Sequence, residues 1–128
     1  MALTILKLTP IHCVAMVTGA GATTVTLATD LLFGLNETAG TPEVNISGLL
    51  WAVPGATAAT VTRNGVVQWQ LLGNDDFEFK GWADKSNNTF DIVVTMPGGG
   101  GTVILELNKI AGYGNAQQRK NVGGDILQ

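Results

Sequence analysis

Charge is what this sequence has least of. Of 128 residues, 13% are charged, with Lys+Arg at 7 and Asp+Glu at 10, for a formal net charge of −3. Ordinary globular chains carry about 25% charged residues. The apolar fraction is 45%, so the chain is not the charge-rich, apolar-poor type that stays disordered. Seven bases against ten acids exclude a basic nucleic-acid binder, because phosphate neutralisation needs clustered cations. A single cysteine excludes a disulfide framework and a multi-cysteine zinc site. A single histidine excludes a His-cluster metal centre. No run reaches the ~18 apolar residues of a transmembrane helix, so no membrane partner is expected.

The segment from Met1 to Ala22 has an apolar stretch like that of a secretion signal. Pro10 and His12 interrupt it and only Lys7 supplies positive charge, so it is expected to be part of the folded chain. His12 also stands where a lipid-attachment motif ending at Cys13 needs a small residue.

What is present is period two. Phe77 and Phe79 alternate with Glu78 and Lys80. Phe90, Ile92, Val94 and Met96 alternate with Thr89, Asp91, Val93 and Thr95, and Val103, Leu105 and Leu107 alternate with Ile104, Glu106 and Asn108. Each is the pattern of a strand with one buried face. Residues 23–29 read as another strand. Val44–Val53 reads as a strand apolar on both faces, and the stretch from Leu3 to Val17 is apolar or hydroxyl-bearing on both faces as well.

The sharpest local signal is Asn64-Gly65, which suits a two-residue type I′ turn because both central residues take positive φ. It predicts a hairpin in which Thr62 faces Val67 and Thr60 faces Trp69, with Trp69 and Leu71 toward the core and Gln68 and Gln70 toward water.

Turn clusters at Gly19-Ala20-Gly21, Gly40-Thr41-Pro42, Pro54-Gly55, Gly73-Asn74-Asp75, Ser86-Asn87-Asn88 and 97–101 punctuate the chain. Helical periodicity is confined to 29–34, where one turn is expected with Thr29 or Asp30 as cap and Gly34 as stop. The expected fold is an all-β antiparallel sandwich or jelly-roll-like domain over 1–111, with a short helical turn and an extended C-terminal tail or arm over 112–128.

No catalytic constellation is legible, and no enzyme activity, cofactor or metal is expected. His12 and Cys13 are adjacent, so on a strand they point to opposite faces and do not form a nucleophile and base pair; Cys13 reads as a buried structural thiol. Gly98–Gly101 is followed by Thr102-Val103-Ile104-Leu105 and not by the Lys and helix of a phosphate loop, so it reads as a hairpin loop joining two strands. Asp75 and Asp76 lack a calcium-loop pattern and read as a solvated turn.

Trp82 falls on the face opposite Phe77 and Phe79, which makes it a candidate interface residue or sugar-stacking platform. Tyr113, just after the last strand, is a candidate interface residue and a candidate anchor for the tail. Ile126 and Leu127 form an apolar tip on a Gly-, Asn- and Gln-rich spacer, which reads either as an arm that docks on a neighbour or as a frayed C-terminus.

The phrases Arg63-Asn-Gly-Val-Val-Gln-Trp69 and Gly101-Thr-Val-Ile-Leu-Glu-Leu-Asn-Lys-Ile110, set in the stretch 43–113, resemble small virion structural proteins of tailed bacteriophages. The nearest likeness is to capsid decoration (cement) proteins of marine and cyanobacterial phages. That resemblance implies a β-rich domain present in many copies on the capsid exterior and made in the host cytoplasm. It implies the major capsid protein and the chain itself, as a homo-oligomer, as partners. A tail, neck or fibre-associated component, or a carbohydrate-binding β-sandwich module using Trp82, are the alternatives. The few charges are expected on outward faces, turns and the tail, and the N-terminal region and Val44–Val53 are expected to carry surface that other chains cover.

Overall fold

A computed structural model describes residues 2–34, 37–79 and 86–114. The order of elements is β1 (Ala2–Leu8), β2 (His12–Val25), α1 (Leu27–Asp30), β3 (Glu43–Val53), β4 (Ala59–Arg63), β5 (Val66–Leu71), β6 (Gly73–Glu78) and β7 (Ile92–Ala111). The strands are joined antiparallel in the order β1-β2-β7-β3-β6, with β4 joined to β7 and β5 to β4. The fold is all-β and sandwich-like.

Two long strands organise it. The C-terminal part of β7 pairs with β2 on one side and β3 on the other, from Gly101 to Ala111. Its N-terminal part, Ile92–Met96, pairs with Gly21–Val25 of β2, and Val93–Thr95 within it pair with Thr60–Thr62 of β4. The change of partners falls at glycines on both strands. Gly19 is opposite Gly101 and Gly21 is opposite Met96, so Ala20 alone faces residues 97–100. Gly19, Gly21 and Gly100 have positive φ of 100°, 94° and 78°, a backbone state that residues with a Cβ rarely hold. This is a large bulge, the device by which strands turn a sheet corner.

The two turn clusters expected at Gly19–Gly21 and 97–101 are therefore bends within strands and do not end them. The expected hairpin between Phe90–Met96 and Thr102–Leu107 is replaced by one continuous strand. The physical reason is that each glycine run has the other as its ladder partner, so pairing continues across the bend.

The apolar faces of both parts meet in one core. Val25, Ala59, Val61, Leu71, Ile92 and Val94 from the smaller part join Cys13, Ala15, Val17, Val44, Leu105 and Leu107 from the larger part in a single buried cluster. The alternation in Val103–Leu107 and Ile92–Met96 is met as expected. Phe77 and Phe90 depart from it, being 45% and 41% exposed, because one lies on an edge strand and the other precedes β7. Val44–Val53 is a strand, but only one face is covered: Leu50, on the other, is 49% exposed. The stretch from Leu3 to Val17 is a hairpin. Its turn is closed by Thr9, whose N–H donates to the His12 carbonyl and whose Oγ1 accepts from the His12 N–H, with Pro10 fixing the bend.

The hairpin at Asn64-Gly65 is present, both residues with positive φ. Thr62 faces Val67 as expected, but Thr60 faces Gln70 and Val61 faces Trp69. A bulge at Gln68 shifts the register by one residue and so brings Trp69 and Val61 to the same face. The helical turn forms earlier than expected, over Leu27–Asp30, with Thr26 as cap residue. The missing cap is supplied from a distance: Asp91 Oδ1 accepts from the Leu27 N–H, and Asp30 Oδ2 accepts from the Thr26 N–H. With both donors satisfied there, residues 26–30 leave the strand pattern that 23–29 suggests.

Candidate functional site

Three charged side chains lie inside the fold, against the expectation that charge is confined to outward faces, turns and tail. Glu37, Arg63 and Lys109 are each at most 5% exposed. Arg63 follows Ala59 and Val61 on the inner face of β4. Its guanidinium donates to the carbonyls of Val44, Asn88 and Phe90 at 2.7–3.0 Å. It thus ties the end of the hairpin to β3 and to the segment before β7, using the planar fork that distinguishes arginine from lysine.

Lys109 follows Val103, Leu105 and Leu107 on the inner face of β7. Its ammonium lies 2.6 Å from Glu37 Oε1, and both side chains are fully buried. It also donates to the Thr9 carbonyl and sits 4.4 Å above the Tyr113 ring. Glu37 Oε1 accepts in addition from the Phe33 N–H. A buried pair is tolerated when hydrogen bonds satisfy the remaining donors and acceptors. Here the pair fastens the 31–42 connection and the Thr9 turn to β7. Its partners are structural, and the arrangement leaves no opening toward a ligand.

Tyr113 is inside this same assembly. It is fully buried within its own chain and its hydroxyl donates to the Leu27 carbonyl at 2.6 Å. Burial first, then the nearby Glu37 carboxylate, push its phenol well above the usual range. Tyr113, a candidate interface residue on sequence grounds, is thus packed within its own chain. It does hold the chain beyond β7, since the Tyr113 carbonyl accepts from the Thr38 N–H. The described chain stays packed as far as Tyr113. Trp82, Ile126 and Leu127 lie outside the described residues.

Cys13 is fully buried. Burial pushes its thiol up to about 11; Lys109 opposes the shift and Asp30 adds to it. A neutral thiol in apolar surroundings is inert. His12 is half-buried on the opposite side of β2, as the strand period requires. Asp75 and Asp76 lie on the fully exposed edge strand β6. Among the described residues no three His, Cys, Asp or Glu gather as metal ligands, and no helix is long and apolar enough to cross a membrane.

Two surfaces remain. The first is the outer face of the five-stranded part. Ladder partners share a face, so the registers define its rows. One row is Thr4, Met16, Ile104, Leu50 and Asp76, reading from β1 to β6. The flanking rows are Ala2, Thr18, Thr102, Ala52 and Asn74 on one side, and Lys7, Val14, Glu106, Gly48 and Glu78 on the other. The centre is apolar or hydroxyl-bearing, and the charges lie in the last row and on β6. The N-terminal region and Val44–Val53, singled out by their two-faced patterns, are both in this sheet.

The second surface is the edge strand β5. Val66 and Val67 are each 50% exposed, and among the described strands β5 is paired only with β4. Edge strands are normally protected by charge, proline or bulges. The outer edge at β6 carries Asp75, Asp76 and Glu78, and β1 carries Lys7 and a bulge after Ile5. β5 has its bulge on the β4 side and no charged residue. Behind it, Trp69 stacks on Phe79 at 4.8 Å, and Phe77 packs against both rings.

Comparison with protein families, curated proteins and solved structures gives no match for this chain.

Proposed function

We propose that this chain is a non-enzymatic structural protein of a tailed-bacteriophage particle, seated in many copies on the outside of the capsid and bridging subunits of the major capsid protein. The observation that carries this reading is the uncharged strand β5, with Val66 and Val67 half-exposed, which among the described strands is paired on its β4 side. Strand addition at such an edge supplies backbone hydrogen bonds along the ladder and apolar contacts beside it. Many modest contacts, repeated by the symmetry of a shell, add up to strong retention. The buried Arg63 and the Lys109–Glu37 pair tie loops to strands, which suits a chain whose task is mechanical. The resemblance of residues 43–113 to decoration proteins supports the same reading. A net charge of −3 gives the chain no attraction to packaged DNA and suits an exterior position.

The reading is tested by adding the purified chain to capsids that lack it. Binding in solution and recovered resistance of the particle to heat are expected. V67K, which places a charge on the β5 edge without touching the core, is expected to weaken binding by about tenfold or more while the isolated chain melts as before. Binding of V67K equal to that of the original chain would remove β5 as the contact. Failure of the original chain to bind any capsid would remove the function.

A further inference from the structure

We infer that the outer face of the five-stranded part is a self-association surface, on which a second copy of this chain packs face to face with its strands aligned and β1 of each copy over β6 of the other. The inference rests on the proposed function for the expectation that copies meet, and on the registers for where they meet.

Charge on that face is distributed unevenly. Among the described residues the basic side chains are Lys7, Arg63 and Lys109, and the last two are buried. Lys7 is thus the one described base that reaches solvent, and it stands at one margin of the face. Asp76 and Glu78 stand at the opposite margin. The face is positive along β1, apolar or hydroxyl-bearing through most of β2, β7 and β3 with Glu106 of β7 as the exception, and negative along β6.

A surface with opposite charges at its two margins complements itself under a twofold axis. With the axis parallel to the strands and midway between the two faces, β7 lies over β7 and each row keeps its level. Lys7 then meets Glu78 of the second copy, since the two residues end the same row. In the central row Met16 meets Leu50, Ile104 meets Ile104, and Thr4 meets Asp76. In the third row Thr18 meets Ala52 and Thr102 meets Thr102, small side chains that let the sheets approach. Aligned sheets pack about 10 Å apart with such interdigitation. An axis across the strands would set β1 over β1 and place Lys7 opposite Ala2, with no charge matched.

Glu106 would fall near the axis, where like charges would repel. Its side chain is drawn aside: Gly48 leaves room for it, and a Cβ built there would stand 3.3 Å from the Glu106 carboxyl carbon. Gly48 thus clears the centre of the row. A shallow depression lined in part by Leu50, Ala52, Thr102 and Ile104 marks the same region as concave, able to receive the Met16 and Ile104 side chains of the other copy.

The test is sedimentation of the full chain from micromolar to about 100 µM, the range in which weak symmetric interfaces populate. The original chain is expected to reach twice the 13.3 kDa monomer mass. I104K is expected to remain monomeric with an unchanged melting temperature. K7E and E78K each place like charges opposite one another and should weaken the dimer by roughly tenfold, and the double variant K7E/E78K should restore it. A monomeric original chain, an I104K variant that still dimerises, or a double variant as weak as the singles would each overturn the inference. The capsid assay separates this outcome from the function. A monomer that binds capsids overturns the interface and leaves the function; a dimer that binds no capsid does the reverse.

Discussion

At the scale of single residues, the interior of this protein is held by side chains that a composition count would place at the surface. Lys109 and Arg63 are two of the seven bases in the sequence, and both are in phase with apolar neighbours on their strands. Lys109 continues the inward positions Val103, Leu105 and Leu107; Arg63 continues Ala59 and Val61. The alternation alone was enough to point them inward. What the sequence does not show is the partner. Glu37 lies in a connection without period, and the three carbonyls that receive Arg63 belong to backbone brought together only by the fold. The ion pair gives a definite expectation. Lys109→Met alone leaves Glu37 buried without its counter-charge and should lower the unfolding free energy by about 3–5 kcal/mol. Glu37→Leu combined with Lys109→Met should recover most of that loss, because two apolar side chains no longer bury a charge. Urea unfolding of the four proteins measures both terms and their coupling.

Cys13 supplies a second expectation at this scale. Its thiol is raised from 9.0 to about 11 by burial, so the folded state keeps the proton that the unfolded state releases. Stability from this group is therefore complete below pH 9 and is lost as the pH rises toward 11. A thiol reagent at pH 8 should leave the native chain unmodified and label it fully in denaturant. Rapid labelling of the native chain would show that Cys13 is not sealed in the core.

At the scale of elements, glycine runs were the features that local pattern described least well. Gly19–Gly21 and Gly98–Gly101 carry turn composition, and taken singly each marks the end of a strand. Their meaning is set by pairing: they face one another across the β2–β7 ladder, and together they turn the corner that lets two strands serve both parts of the sheet. The Asn64-Gly65 hairpin was legible because its signal is contained in adjacent residues, whereas the bulge at Gln68 that resets its register was not. The strand faces were legible wherever alternation ran for several residues inside the sheet. They failed at Phe77, on the β6 edge, where one side of the strand lacks a neighbour to cover it.

The corner can be tested with two substitutions of the same size. A Cβ on Gly101 would stand 2.9 Å from the Ala52 carbonyl oxygen, whereas one on Gly99 would meet nothing within 4 Å. Gly101→Ala is expected to lower stability by about 1–3 kcal/mol through that overlap, with Gly99→Ala changing it by a few tenths. Thermal unfolding of the two variants compares them directly, and equal losses would argue against a tightly packed corner.

At the scale of the whole molecule, the scarcity of charge has a specific distribution. The outer sheet face keeps its charges at its margins and in a single row, and the β5 edge has none. On the proposed function, these two surfaces are where other chains would hold this one. The candidate contacts Trp82, Ile126 and Leu127 lie outside the described residues; among those described, the proposed contacts are the β5 edge and the sheet face. Neither surface was legible as a patch in the sequence, because each is assembled from residues that only the strand registers bring side by side. The most direct test of the decoration role is electron cryo-microscopy of capsids lacking this protein, imaged after the purified chain is added. Symmetric density is expected on the outside of the shell, on the order of hundreds of copies per particle, with the β5 edge against the capsid. Density confined to a few copies at the tail or neck, or bare shells, would contradict it.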